Sequence, residues 1–331
     1  LKSDDVISYL EKYHSDSPVL EAAEAMINHT TIEQRYSFMP FSEIMESAGF
    51  GSRQNKYEKF AKDSVVNVAI NAMANASVTN NDITMVMVIS CTGFMMPSLT
   101  AYLINELDLP ENTTQMPIAQ MGCVGGAYAV NRAYEHCLLS KNNNALIICA
   151  EIASLCFHKD ANKLEDFLAD AIFADGIAGC VMRGDDAGEG LVIESTKSIF
   201  LKRTEPYIQY KIMDEGFLFS LNKEVMHSIE MITDPVVNYV KSTLGDDKVE
   251  FCISHTGGRR ILDEVSRCFN IPNKLLEKSR ESLRMVGNTS SVSVIDVFNR
   301  HFGRVSNGSK GLLMAFGPGF TAELTAGEWK A

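Results

Sequence analysis

Short apolar runs recur along this chain, and they constrain its fold more than any other feature. ITMVMVIS (83–90), NALIICAE (144–151), AGCVMRG (178–184), GLVIESTKSIF (190–200), VEFCISH (249–255) and KGLLMAFG (310–317) have the length and character of strands buried on both faces. A strand of that kind needs a layer on each side. The intervening segments supply one, because PSLTAYLINELDL (97–109), AYAVNRAYEHCLLS (127–140), NKEVMHSIEMITDPVVNYVKSTL (222–244), RRILDEVSRCF (259–269) and SVSVIDVFNRHF (291–302) place apolar residues at helical spacing. In the second of them Ala127, Val130, Tyr134, Cys137 and Leu138 share a stripe. Alternation of the two element types predicts an α/β layered fold. The polar, glycine-containing RGDDAGEG (183–190) is the natural boundary between two halves.

With 331 residues, 46% of them hydrophobic, the chain can bury one large core or two moderate ones. No apolar run reaches the roughly 18 residues of a membrane span, and the first residues lack a signal-peptide pattern, so a soluble, cytoplasmic protein is expected. The eight cysteines include no CxxC and no metal-like pairing with histidine. Most lie in apolar runs, where a reduced thiol acts as a small hydrophobe, and no metal site is predicted. A net charge of −12 argues against nucleic acid or an anionic membrane as partner. An anionic small ligand would need a local basic patch.

Chemistry concentrates in four stretches. In AQMGCVGGAYAV (119–130), Cys123 stands between glycines at the start of a predicted helix, where unpaired N–H groups and the helix dipole favour a thiolate. A buried structural cysteine in a glycine turn fits the same residues. His255 ends a predicted strand and precedes TGG and a helix, the end of a strand at which α/β folds hold ligands, although a histidine capping the turn reads equally well. The other histidines, His14, His29, His136, His158, His227 and His301, sit in polar or helical settings that suggest the surface. Asn288 in MVGNTSSVSV lies in a turn that opens another helix, and AFGPGFTAEL (315–324) runs a strand into Gly317-Pro318-Gly319 and out into a second strand.

Taken in order, MGCVGGA, HTGGRRIL, GNTSS and FGPGFT resemble the type III polyketide synthases, the chalcone and stilbene synthase family of the thiolase superfamily. The resemblance covers nearly the whole chain. It implies a thiolase-like five-layered αβαβα fold of two similar halves, 1–184 with the nucleophile and 185–331 with the histidine and asparagine. It also implies a catalytic triad of Cys123, His255 and Asn288, with an imidazolium–thiolate pair. Phe173 and Phe219 match the two gatekeeping phenylalanines, and Met96 matches the methionine that reaches across a homodimer. Cys91, Thr92, Cys156 and Ser290 match positions that shape the cavity, alongside the Gly317, Pro318 and Gly319 loop; ordinary packing explains Cys156 equally well.

The basic residues that hold coenzyme A phosphates in plant members match Ala22, Ala25 and His29 here, so Gly257, Gly258, Arg259 and Arg260 are the expected anchor for CoA or phosphopantetheine. The threonine of HTGG stands where the family usually has proline, which should loosen that turn. The family's first core strand has no counterpart ahead of LKSDD, so the sequence is expected to be part of a longer protein. Delivery of a starter on an acyl carrier protein would then resemble the Steely-type fusions, in which such a module follows a fatty acid synthase. The activity implied is loading of an acyl group on Cys123, extension with malonyl-CoA by decarboxylative Claisen condensation, and closure to a resorcinol, acylphloroglucinol or pyrone. No cofactor is implied beyond the thioester substrates. A single-condensation ketoacyl synthase, a thioester hydrolase and a non-catalytic scaffold that binds an acyl carrier remain open as alternatives.

Overall fold

The computed structural model describes residues 1–46, 49–157, 163–245 and 249–331. Helices α1 (Ser3–Tyr13), α2 (Leu20–His29), α3 (Phe41–Met45) and α4 (Gly49–Asn75) come first. Then follow β1 (Met85–Ile89), α5 (Leu99–Glu106), β2 (Thr114–Ile118), α6 (Gly125–Cys137), β3 (Asn144–Glu151), α7 (Leu164–Ile172) and β4 (Gly176–Arg183). The remainder runs β5 (Gly190–Phe200), β6 (Ile208–Met213), β7 (Gly216–Leu221), α8 (Ser228–Met231), α9 (Thr233–Leu244) and β8 (Phe251–Ser254). It ends with α10 (Arg259–Cys268), α11 (Glu277–Val286), α12 (Ser293–Asn299), β9 (Lys310–Gly317) and β10 (Thr321–Lys330).

One sheet has the order β2-β1-β3-β4, with β1 parallel to both neighbours and β4 antiparallel to β3. The second has the order β5-β10-β9-β8, with β10 antiparallel to both neighbours and β8 parallel to β9. Successive side chains on a strand point to opposite faces, and on β1, β3, β8 and β9 both faces are dry. Met85, Met87 and Ile89 of β1 join Ala145, Ile147 and Cys149 of β3 in a central core, while Val86 and Val88 join Leu146, Ile148 and Ala150 on the outer face. On the second sheet Leu313 and Ala315 face the central core, and Leu312, Met314 and Phe316 face outward.

Helices α6 and α12 fill the space between the sheets. Small side chains at Ala127, Ala129 and Ala133 let both sheets approach α6 closely, with Val294, Ile295 and Val297 of α12 beside them. Outside the first sheet lie α4 and α5, through Tyr57, Ala61, Val65, Leu99 and Leu103; outside the second lie α9 and α10, through Val236, Tyr239 and Val265. This is the five-layered αβαβα fold expected. The strands β4 and β5 flank the polar 184–189 segment that joins the two sheets.

Several local expectations are corrected. The 222–244 segment is not one helix: α8 ends at Met231 and α9 begins at Thr233, because Pro235 has no N–H to donate to the turn before it and fits only in a first turn. Strand β5 alternates half-buried and exposed positions because it is an edge strand. Leu138 is exposed, since α6 ends at Cys137. His14 and His301 are buried, one packed edge-on against Phe167, the other bonded through Nδ1 to the Val297 carbonyl and packed near Trp329. His158 lies outside the described residues. Among the described residues no helix is long and apolar enough to cross a membrane.

Candidate active site

Cys123 sits in a single helical turn, Gly122–Val124, between β2 and α6. Gly122 has φ +54°, and a Cβ there would stand 2.9 Å from Cδ of Pro318, so a glycine is needed both for the bend and for the approach of the 317–319 loop. Gly317 closes the same contact from the other side: a Cβ on it would lie 2.7 Å from the Val124 nitrogen. The two glycine-bearing stretches therefore lock together around the cysteine.

His255 follows β8 directly, and its backbone N–H donates to the Met314 carbonyl at 2.9 Å. Its ring is buried, Nδ1 meets no hydrogen-bond partner among the described residues, and a side chain on Gly257 would press to 3.2 Å from Nε2. Thr256 does not loosen this turn. It is fully buried and its hydroxyl reaches the Gly287 carbonyl at 3.4 Å.

Asn288 follows the glycine that ends α11, and its backbone pairs with the 172–174 segment: its N–H donates to the Ile172 carbonyl at 2.8 Å and its carbonyl accepts from Ala174 at 3.0 Å. This pairing sets Phe173 beside Asn288. The side-chain oxygen of Asn288 accepts from the Ser290 amide at 2.9 Å, which leaves the side-chain NH2 as the donor Asn288 can offer a substrate. Ser290 shares the wall of one cavity with Cys123.

Burial nevertheless dominates at both Cys123 and His255. It pushes the Cys123 thiol up to about 12, against the pull of Ser290 and Asn288 and with a further push from the Glu151 carboxylate. Burial also pulls His255 down to about 3. Burial disfavours the charged form of each group and so opposes both the helix-dipole effect and the expected imidazolium–thiolate pair.

A cavity of about 320 Å³ opens over Cys123. Cys91, Thr92, Cys156, Phe173, Phe219, Ser290 and Pro318 line it, all of them singled out from the sequence. Phe173 and Phe219 meet edge to face with ring centres 4.9 Å apart. Gly317 and Gly319 bracket Pro318 without lining the cavity, and Met96 lies outside it, 98% exposed beside Pro97. Gly257 and Gly258 lead into α10, whose first residues Arg259 and Arg260 are exposed and do not line the cavity.

Other lining residues were not anticipated. Ile208, Tyr210 and Phe217 come from the β6–β7 hairpin, closed by the two residues Asp214-Glu215, and Phe157 follows the turn Ala153–Cys156. The hairpin's apolar run GFLFSL was the available signal. Glu151, fully buried at the end of β3, was also missed, although a lone carboxylate closing an otherwise apolar strand marks it out. It accepts from the Cys91 amide and the Thr92 hydroxyl, both at 3.0 Å, and from the Ser291 hydroxyl at 2.6 Å.

Comparison with known proteins agrees with this geometry. Residues 2–186 match the family model for the N-terminal domain of chalcone and stilbene synthases, and residues 192–326 match that for the C-terminal domain. The chain is 44% identical over 330 residues to a phloroglucinol synthase of Pseudomonas fluorescens, covering 98% of this chain and 94% of the relative. It is 37% identical over 331 residues to a 1,3,6,8-tetrahydroxynaphthalene synthase of Streptomyces coelicolor, covering 99% and 88%. The crystal structure of the Streptomyces coelicolor A3(2) tetrahydroxynaphthalene synthase, a bacterial type III polyketide synthase, superposes with a TM-score of 0.97 at 36% identity, covering 100% of this chain and 96% of that one. The C-terminal type III polyketide synthase domain of Steely1 from Dictyostelium, at 20% identity and a TM-score of 0.93 over 100% of this chain and 96% of that one, shares the fold.

Proposed function

Because this chain belongs to the chalcone and stilbene synthase family, we propose that its Cys123 cavity carries the condensation chemistry that the family performs. The protein is a type III polyketide synthase, an acyltransferase acting by decarboxylative condensation. In the proposed cycle His255 takes the thiol proton as Cys123 attacks an acyl thioester, returns it to the departing CoA thiolate, and leaves the acyl group as a thioester of Cys123. Malonyl-CoA enters next. The buried, neutral His255 and the Asn288 amide donate hydrogen bonds to its thioester oxygen as CO2 leaves, stabilising the enolate; each such preorganised donor is worth roughly 3 kcal/mol. The enolate carbon attacks the Cys123-bound carbonyl, and the extended chain returns to the thiolate.

Every bond in this cycle is accounted for by the thioesters and these side chains, so the scheme calls for no metal, flavin or nicotinamide. The single observation that carries it is the convergence on one cavity of a cysteine, Ser290 and the Phe173–Phe219 pair. The relatives' names support a polyhydroxylated aromatic product closed from a short polyketide. A homodimer in the cytoplasm belongs to the same reading: Met96 is almost fully exposed and β2 presents a largely exposed edge, features suited to a second copy.

Mass spectrometry of the protein with acyl-CoA starters, with and without malonyl-CoA, tests the reading. An acyl adduct mapped to Cys123 that converts to extended, cyclised products is expected, and Cys123→Ala should abolish both. Loading only from an acyl carrier thioester would move the donor from CoA to the carrier. Absence of an adduct from either donor would refute the assignment of Cys123.

A further inference from the structure

One wall of the cavity, Ala153, Cys156 and Phe157, comes from the short irregular stretch that follows β3. Such a stretch has little ladder of its own to hold it. Buried side chains from three other segments hold it instead. Thr92 Oγ1 accepts from the Ile152 amide at 2.8 Å, Asp175 Oδ1 accepts from the Ser154 amide at 2.8 Å, and Arg53 Nη1 donates to the Leu155 carbonyl at 2.6 Å. Asp175 also accepts from the Ser154 hydroxyl, on Oδ2 at 2.7 Å.

Asp175 reaches the gate as well as the wall. It lies two residues after Phe173, in the segment whose other side pairs with the Asn288 backbone. Its amide donates to the Tyr36 carbonyl at 3.0 Å, and its Oδ2 accepts from the Phe38 amide at 2.9 Å. The carboxylate is 1% exposed and makes no ion pair among the described residues, a costly way to build a joint. A neutral side chain could not replace it. Each oxygen faces a backbone N–H, which can only donate, so an amide in either orientation sets its own NH2 against a donor.

We propose that Asp175 is a positioning residue that fixes the spacing between the Phe173 gate and the Ala153–Phe157 wall, and thereby the polyketide length and ring closure the cavity permits. The inference rests on the reading of the Cys123 cavity as the site of condensation. Asp175 does not line that cavity; it acts through Phe173, Cys156 and Phe157, which do. In a space of about 320 Å³ a growing chain folds against whatever wall it meets, so a shift of that wall changes which carbons come together.

Asp175→Asn keeps the size of the side chain and breaks the joint. Formation of the main wild-type product from malonyl-CoA should fall on the order of 10- to 100-fold, as for a displacement of up to about 1 Å, with products of other length or closure gaining share. Loading of Cys123 from an acyl-CoA, read by intact mass, should stay within about threefold of wild type, because the wall does not touch the sulfur's own turn. Ser154→Ala, which deletes one hydroxyl bond and no backbone bond, should move the same readouts less far, and it decides if D175N fails to fold. Val236→Ala, a core truncation in α9 beyond the second sheet, controls for lost stability and should leave the product profile unchanged. Hydrogen–deuterium exchange should quicken over 34–40 and 152–157 in D175N and not in V236A. An unchanged product profile in D175N and S154A, or loading and product falling in parallel, would overturn the proposal. So would wild-type exchange over both segments in D175N, whatever its activity. A wild type that loads no acyl group would instead remove the condensation reading, and the role in product length with it.

Discussion

Replacing Gly126 by alanine tests whether the spacing between the two central helices sets the catalytic geometry. Gly126 lies in the first turn of α6, and a Cβ there would stand 2.3 Å from the Ser291 carbonyl oxygen and 2.7 Å from Val294 Cγ1. Ordinary contact begins near 3.4 Å, so the facing turn must retreat by about 1 Å, the difference between 3.4 and 2.3 Å. That turn cannot yield cheaply: Ser291 is fully buried and its hydroxyl is bonded to Glu151. The overpacking costs about 1–3 kcal/mol, and the better helix propensity of alanine returns about 1 kcal/mol, leaving a net loss of about 0–2 kcal/mol. Catalysis should suffer far more. Ser290 rides on the displaced turn and shares the cavity wall with Cys123, and a misplacement of about 1 Å costs on the order of 100-fold in rate. Product formation from malonyl-CoA, measured beside urea denaturation, separates the two effects. The exposed Gly51, with nothing within 4 Å of an added Cβ, serves as control: Gly51→Ala should leave activity intact and stabilise the protein slightly. A G126A enzyme within about threefold of wild-type activity would show that the turn slides without consequence and would refute the argument.

Three further outcomes follow from named groups. Burial raises the Asp175 carboxyl to about 6 from its ordinary 3.8, so between those values the native state binds more protons than the unfolded chain and stability falls as pH rises, levelling above about 6. That shift is worth about 3 kcal/mol, so the stability of Asp175→Asn relative to wild type should move in the variant's favour by about that much from pH 4 to pH 7; a pH-independent difference would contradict it. Arg259→Ala with Arg260→Ala should raise the malonyl-CoA KM by roughly tenfold with little change in kcat, as expected for two exposed cations that meet phosphates, and an unchanged KM would place the phosphates elsewhere. Wild type should sediment as a dimer and Met96→Glu as a weakened one, because seating a carboxylate in an apolar cavity costs several kcal/mol; a monomeric wild type would end the homodimer reading.

Layering was legible in the chain because a strand dry on both faces needs no partner information to be recognised: ITMVMVIS, NALIICAE and KGLLMAFG carry that requirement in their composition, and each became a strand of a sandwiched sheet. The glycines around Cys123 and in the 317–319 loop were legible for a similar reason, since a bend and a close approach leave a local mark. Helices α4, α7 and α11 and the β6–β7 hairpin escaped that reading, as their patterns are weaker than the strand runs beside them. Tertiary structure alone decided burial and pairing. Cys123 looked activated by its helix, yet burial opposes the thiolate there, because desolvation of a charge depends on what the rest of the chain folds over it. Likewise Glu151, Cys91 and Ser290 lie far apart in sequence and become one hydrogen-bonded path only when β3, the end of β1 and the turn before α12 meet beneath the cavity.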